Sequence, residues 1–222
     1  MNKKILLFDI NDLLINTFET AYRRNVYCLR KLNAPIISKD NFQKTFGKLD
    51  FETLIENWVG EENKDLFNSY YSEARNIYKY KSLLRDTNLL SQLVEAGILL
   101  GIISATSQKQ LHIKFAEAKF PLDIFDVVYC GVNKESSYII KQILHDSDIS
   151  KDSTYYIGDQ LSDYNFSIKG GINFLAVTSG LYQKEDFVRA GCPENRIFSS
   201  IDELLIGVYN EHRNTRNEKK IL

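Results

Sequence analysis

Short apolar runs alternate with amphipathic stretches along most of this chain. Residues 5–8 and 98–103 form the clearest runs, and their length and branched or aromatic composition indicate buried strands. From residue 89 onward such runs alternate with helical patterns, which predicts a parallel sheet with helices on both faces. Further strands are predicted at residues 126–130, 155–157, 174–177 and 196–198, and helices at residues 89–96, 108–118, 136–145, 163–169 and 201–208.

Residues 16–85 follow a different pattern, with helical spacing and no convincing strand. Phe18, Tyr22 and Val26 begin a repeat of three to four residues that is typical of an amphipathic helix. We therefore expect a helical insertion after the first strand, which would overhang the carboxyl edge of the sheet as a candidate lid. The predicted organisation is an α/β core of residues 1–15 and 86–210, a small α-helical cap of residues 16–85, and a frayed polar tail of residues 211–222.

The composition is that of a soluble globular protein with an adequate core, since 44% of the 222 residues are hydrophobic and 26% are charged. A formal net charge of −1 gives no electrostatic reason to expect a nucleic-acid or membrane partner. The three cysteines resemble neither a disulfide framework nor a zinc site. Because the first apolar run stops at Asp9, too early for a secretory signal, we expect a cytoplasmic protein.

Acidic residues follow two of the predicted strands. Asp9 comes directly after the first strand, and Asp159 and Asp163 follow the strand at residues 155–157. The carboxyl ends of strands are where open α/β sheets bind ligands, so these three carboxylates could converge around one cation.

The order of these segments resembles the haloacid dehalogenase (HAD) superfamily, mostly phosphatases and related phosphoryl-transfer enzymes. The first family motif places a nucleophilic Asp two residues before a second Asp, which Gly and Thr follow. Asp9 matches the nucleophile, whereas Asn11, Asp12 and Leu13 replace the other three residues. The second, third and fourth motifs are matched by Ser104, by Lys134, and by Gly158-Asp159 with Asp163.

The resemblance implies a Rossmann-like core and Mg²⁺-dependent transfer of a phosphoryl group to Asp9. Magnesium prefers oxygen ligands, and the implied metal-site residues are Asp9, the backbone carbonyl of Asn11, Asp159 and, orienting the site from behind, Asp163. The predicted catalytic residues are Asp9, Asn11, Ser104 and Lys134, and the predicted substrate-binding residues are Ser104, Ala105, Lys134 and, from the cap, Lys48.

Asn11 stands where the family places its general acid and base. A carboxamide has no proton to exchange near neutral pH, and loss of a general acid or base typically costs ~10²–10⁴-fold in rate. The backbone carbonyl of Asn11 is unaffected, so metal and phosphate binding are better supported than turnover. Asp12 is displaced by one residue, and catalytic geometry tolerates only small errors.

The leading interpretation is a hydrolase that acts, with weakened turnover, on a small phosphorylated metabolite. The alternative is a catalytically impaired relative that binds a phosphorylated ligand or a protein partner. Cleavage of carbon–halogen bonds would leave the acidic motif at residues 158–163 without a use, and cleavage of carbon–phosphorus bonds would need a cap lysine such as Lys48. The sequence does not identify the substrate, and it does not distinguish a monomer from a homodimer.

Overall fold

The chain folds as two compact units. The computed structural model describes residues 3–46 and 49–221. Met1–Ile15 and Ser82–Leu222 form an α/β unit, and Asn16–Lys81 forms a helical unit. The boundary at residue 82 differs from the predicted boundary at 86, because Ile15 bridges Ser82 and the Leu83 N–H donates to the Leu14 carbonyl at 2.8 Å.

The α/β unit contains a six-stranded parallel sheet in the order β3-β2-β1-β4-β5-β6. The first strand therefore lies near the centre, between β2 and β4. This arrangement confirms the predicted parallel α/β fold. The strands are β1 (Lys4–Phe8), β2 (Ile98–Ser104), β3 (Val127–Cys130), β4 (Thr154–Gly158), β5 (Asn173–Val177) and β6 (Ile197–Phe198).

Helices cover both faces of this sheet. The helices of the unit are α5 (Asn88–Glu95), α6 (Gln108–Ala118), α7 (Tyr138–Ser147), α8 (Leu161–Gly170), α9 (Lys184–Arg189) and α10 (Ile201–Ile221). Side chains alternate between the faces of a strand, so Leu7 and Phe8 point in opposite directions. Leu7 shares a buried cluster with residues of α7, α8 and α9. The Phe8 ring packs 6.0 Å from that of Phe125, which in turn contacts Phe115 of α6.

The C-terminal residues correct one prediction. Residues 211–221, which we expected to be a frayed tail, continue helix α10. Two contacts anchor this part of the helix: His212 Nε2 donates to the Ala96 carbonyl at 3.0 Å, and Lys4 pairs with Glu211 at 3.8 Å. The short helix α9 is also absent from the prediction, because six residues contain too little periodicity to reveal it.

The helical unit has its own core. Its helices are α1 (Phe18–Lys31), α2 (Lys39–Thr45), α3 (Phe51–Val59) and α4 (Lys64–Ile77). One buried cluster contains Cys28, Leu29, Ile55 and Phe67. Partly buried tyrosines pack against it. No helix within residues 3–46 and 49–221 combines the length and apolar character that a membrane span requires.

Candidate active site

Asp9 lies at the centre of the carboxyl edge of the sheet. It follows β1 directly, and its backbone N–H donates to the carbonyl of Ile157 in β4 at 3.0 Å. This hydrogen bond brings the end of β1 level with the end of β4, where Asp159 follows. The Asp9 side chain is buried, with 3% of the residue exposed.

Lys134 joins Asp9 to Asp163, one of the two acidic residues that follow β4. Its Nζ donates to Asp9 Oδ1 at 2.8 Å and to Asp163 Oδ1 at 2.6 Å. Burial opposes the positive charge, but Asp9, Tyr156 and Asp163 outweigh it and raise the pKa of Lys134. Lys134 therefore remains a fixed cation between the two carboxylates.

Asp159 is a buried carboxylate that no hydrogen bond from the described residues satisfies. Neither of its oxygens has a hydrogen-bond partner among the described residues. Burial raises its pKa well above the ordinary value, and the carboxylates of Asp163 and Asp9 raise it further. Leaving a buried charge unpaired is costly, so such a group normally binds a metal or a counter-ion.

The arrangement of carboxylates fits a hard divalent cation. One carboxylate oxygen from each of Asp9, Asp159 and Asp163 lies within 4.8 Å of the other two. Oxygen ligands of this kind suit Mg²⁺, which binds through one or two carboxylates and keeps several waters. The orphaned oxygens of Asp159 are the feature that a bound cation would satisfy.

Two glycines make room for these carboxylates. A Cβ atom on Gly180 would collide with Asp159 Oδ2, and one on Gly158 would collide with Asp163 Oδ2. Any other residue at these positions would therefore displace a carboxylate of the cluster. This is the physical reason for glycine before Asp159 and in the loop after β5.

Asp163 has a structural role as well as a place in the cluster. It forms a capping box at the start of α8, where its Oδ2 accepts a hydrogen bond from the Gln160 N–H at 3.2 Å. Burial raises the pKa of Asp163 to about 6, although Lys134 acts in the opposite direction. With one oxygen on Gln160 and the other on Lys134, Asp163 fixes the position of the lysine.

The residues that follow β2 form a second part of the site. Ser104 is fully buried, and its Oγ accepts a hydrogen bond from the Thr106 N–H at 3.3 Å. Ala105, which we predicted to contact substrate, is exposed between them. The structure places Ser104 at the carboxyl end of β2, which neighbours β1 in the sheet.

Asn11 is held by two residues that the sequence analysis did not identify. Its Nδ2 donates to Thr106 Oγ1 at 3.1 Å, and its Oδ1 accepts a hydrogen bond from Lys114 Nζ. Lys114 lies on α6 with only 6% of the residue exposed. A signal for Lys114 existed in the sequence, because it interrupts the apolar face of α6 beside Leu111 and Phe115.

Asp12 occupies the position at which the family motif has glycine. Its φ of 56° is in the left-handed region, which Asp tolerates better than most residues. The Ser179 hydroxyl supports this turn by donating to the Asp12 carbonyl at 2.8 Å. Lys48, the predicted cap residue, lies outside the described residues.

Several solved structures share this fold. A protein assigned as a haloacid dehalogenase-like hydrolase from Bacteroides fragilis has a TM-score of 0.65 and 24% identity, covering 91% of this chain and 99% of that protein. A protein assigned as a β-phosphoglucomutase from Thermotoga maritima has a TM-score of 0.74 and 18% identity, covering 93% and 99%. A HAD family hydrolase from Deinococcus radiodurans with bound phosphate and sodium has a TM-score of 0.77 and 14% identity, covering 95% and 96%.

The match to a family model supports a family assignment, which structural similarity at this level of identity does not. No curated protein matches this chain by sequence. The haloacid dehalogenase-like hydrolase family does match, over residues 6–177, which is more than half of the 222 residues. The matched span includes Asp9, Ser104, Lys134 and Asp159, the residues on which the resemblance was based. This chain belongs to the haloacid dehalogenase-like hydrolase family.

Proposed function

We propose that this protein is a Mg²⁺-dependent hydrolase that removes the phosphoryl group from a small phosphorylated metabolite through an aspartyl-phosphate on Asp9. The observation that carries the proposal is the buried Asp159 carboxylate, which has no partner among the described residues and lies beside Asp9 and Asp163. The solved relative with bound phosphate is in keeping with a phosphorylated substrate.

The chain has suitable ligands for the cation. The cation would be held by Asp9, Asp159 and the backbone carbonyl of Asn11. Asp163 would orient these ligands through its hydrogen bond with Lys134. When bound, Mg²⁺ supplies positive charge that offsets the carboxylates and the phosphoryl oxygens. Lys134 contributes a second positive charge next to Asp9.

Asp9 acts as the nucleophile in the proposed reaction. One of its carboxylate oxygens attacks phosphorus, and the bond to the leaving oxygen breaks with its electron pair on that oxygen, which takes a proton from water. A second water then attacks phosphorus, loses a proton to solvent and displaces the Asp9 carboxylate. Inorganic phosphate leaves, and Asp9 returns to its starting state.

Ser104 and Lys134 would position the phosphoryl group and stabilise its charge. Ser104 is buried at the end of β2, where its hydroxyl can donate to a phosphoryl oxygen while accepting from the Thr106 N–H. Lys134 stabilises the negative charge that gathers on Asp9 and the phosphoryl group. Because Asn11 cannot exchange a proton, turnover is weakened, most strongly for substrates with poor leaving groups.

A second candidate function rests on Asn11 itself. A protein with the cation site and the phosphate site but no acid or base would retain a phosphorylated ligand instead of hydrolysing it. Such a protein would serve in regulation or assembly. The contacts of Asn11 with Thr106 and Lys114 favour this candidate, because they hold a carboxamide in one orientation at the motif position of the acid.

The decisive experiment measures phosphate release from a panel of phosphorylated metabolites, including acyl phosphates, with and without Mg²⁺. We expect Mg²⁺-dependent release by the native chain and a loss of more than about 10³-fold in Asp9→Asn, because the nucleophile is removed. The matched control is Asp123→Asn, which makes the same change at an exposed position and should leave release unaltered.

The same samples distinguish the two candidates. Binding of inorganic phosphate is measured by calorimetry in the presence of Mg²⁺. Absence of release together with saturable phosphate binding would support the binding protein over the hydrolase. Absence of both would contradict both candidates.

A further inference from the structure

Lys114 is a buried cation at a position where the pattern of α6 calls for an apolar residue. Leu111 and Phe115 lie on the same face of the helix and are buried, and Lys114 is 6% exposed. Lysine is rarely buried to this extent, because removing its ammonium group from water costs free energy. A buried lysine therefore requires a local explanation.

The ammonium group of Lys114 is directed at the loop that carries the nucleophile. Its Nζ donates to Asn11 Oδ1, and Asn11 is two residues from Asp9. A lysine ammonium can only donate, so the carboxamide oxygen of Asn11 must face Lys114. The carboxamide nitrogen then faces Thr106, to whose Oγ1 it donates at 3.1 Å. The orientation of Asn11 is thereby determined by two side chains of the β2–α6 segment.

We propose that Lys114 stabilises the leaving oxygen electrostatically, at the place where a carboxylic acid is missing. This inference rests on the proposed hydrolase function and assigns an electrostatic role in it to a further residue. In an in-line displacement the leaving oxygen gains negative charge as its bond to phosphorus breaks. A cation held in advance within a poorly hydrated site stabilises such charge without reorganisation.

No proton has to move from Lys114 in this role. The electron pair of the broken phosphorus–oxygen bond stays on the leaving oxygen, which is neutralised afterwards by water. Lys114 lowers the energy of the transition state by its charge alone. Asn11 spaces and orients the ammonium group through the hydrogen bond between Asn11 Oδ1 and Lys114 Nζ.

The role of Lys114 has a consequence for the substrate class. Alkyl phosphates leave as strongly basic alkoxides and gain most from a nearby positive charge. Aryl and acyl phosphates leave as stabilised anions and gain little. The contribution of Lys114 should therefore grow with the basicity of the leaving group and be largest for the phosphate esters of aliphatic alcohols.

The test compares native protein with Lys114→Gln, which removes the charge and keeps a donor for Asn11 Oδ1. Turnover at saturating substrate is measured with p-nitrophenyl phosphate, acetyl phosphate and glycerol phosphate. We expect a loss of about 10²-fold or more on glycerol phosphate, the size seen when one electrostatic donor is removed, and a several-fold loss on the other two. Lys114→Arg should retain much of the native activity on glycerol phosphate.

Lys109→Gln is the matched control, because Lys109 lies exposed on the same helix, and it should behave as native. Circular dichroism and thermal melting check the fold, and Lys114→Met replaces Lys114→Gln if the latter is unfolded. An equal loss on all three substrates in a folded variant would overturn the role of Lys114 while leaving the hydrolase intact. A native chain that hydrolyses none of them would overturn the proposed function, and the role of Lys114 with it.

Discussion

At the level of one residue, the burial of Asp159 is costly, and a bound cation would offset this cost. Its carboxylate is fully buried, its two oxygens have no partner among the described residues, and Gly180 is packed against it. Binding of a cation would convert this unfavourable burial into a favourable interaction. The stability of the protein should therefore respond strongly to Mg²⁺.

Asp159→Asn should make the protein more stable without divalent cations and insensitive to them. A ligand at about 100 times its dissociation constant stabilises the native state by about 2.7 kcal/mol, which corresponds to roughly 5–10 °C in melting temperature for a chain of this size. Thermal melting with EDTA and with excess MgCl₂ measures this shift. The native protein and the exposed Asp123→Asn control should both show it. An unchanged Mg²⁺ response in Asp159→Asn would contradict the assignment of this residue as a ligand.

At the level of elements, the packing of α10 depends on contacts near its C-terminal part. His212 donates to the carbonyl of Ala96, which caps the C-terminal end of α5. The carbonyl groups at a helix end need donors from outside the helix, so the hydrogen bond from His212 links α10 to the end of α5. This contact attaches the start of the predicted polar tail to α5.

His212→Ala should lower the free energy of unfolding by about 0.5–1.5 kcal/mol, the usual net contribution of one hydrogen bond. Urea denaturation followed by circular dichroism measures the change. His145→Ala is the matched control, since His145 is 89% exposed and pairs with Asp146 at the surface. That substitution should cost less than about 0.5 kcal/mol. Equal effects of the two substitutions would contradict an anchoring role for His212.

At the level of the whole molecule, the two compact units have separate hydrophobic cores. Cys28 is buried in the cluster of the helical unit, and Cys192 in a cluster of the α/β unit. Burial raises the pKa of the Cys28 thiol to about 12 and also raises that of Cys192, so both thiols are inert while their units are folded. Each thiol is therefore a local reporter of the unit that contains it.

Pulse labelling with a thiol reagent should detect the two units separately. Cys130 is partly exposed in β3 and should react first in the native protein. With increasing urea, Cys28 should become reactive before Cys192, because the helical unit is the smaller of the two and small domains are harder to stabilise. Mass spectrometry of labelled peptides identifies each site. Simultaneous reaction of Cys28 and Cys192 would indicate that the two units unfold as one.

The sequence by itself determined the parallel α/β fold, the strand positions and the placement of Asp9, Asp159 and Asp163 at the carboxyl ends of two strands. Buried strands need unbroken apolar runs, and residues directly after parallel strands share one edge of the sheet, so these features can be deduced locally. The change from Asp to Asn11 was equally visible. This replacement raises the question of how the leaving oxygen would be stabilised without a general acid.

Only the tertiary structure decided which side chains surround Asn11 and Asp159. Lys114 and Asn11 are 103 positions apart, and Gly180 approaches Asp159 from the loop after a different strand. Contacts of this kind depend on strand order and on the rotation of a helix about its axis. Helical and strand periodicity reports which face of an element is buried, but not which distant side chain that face meets.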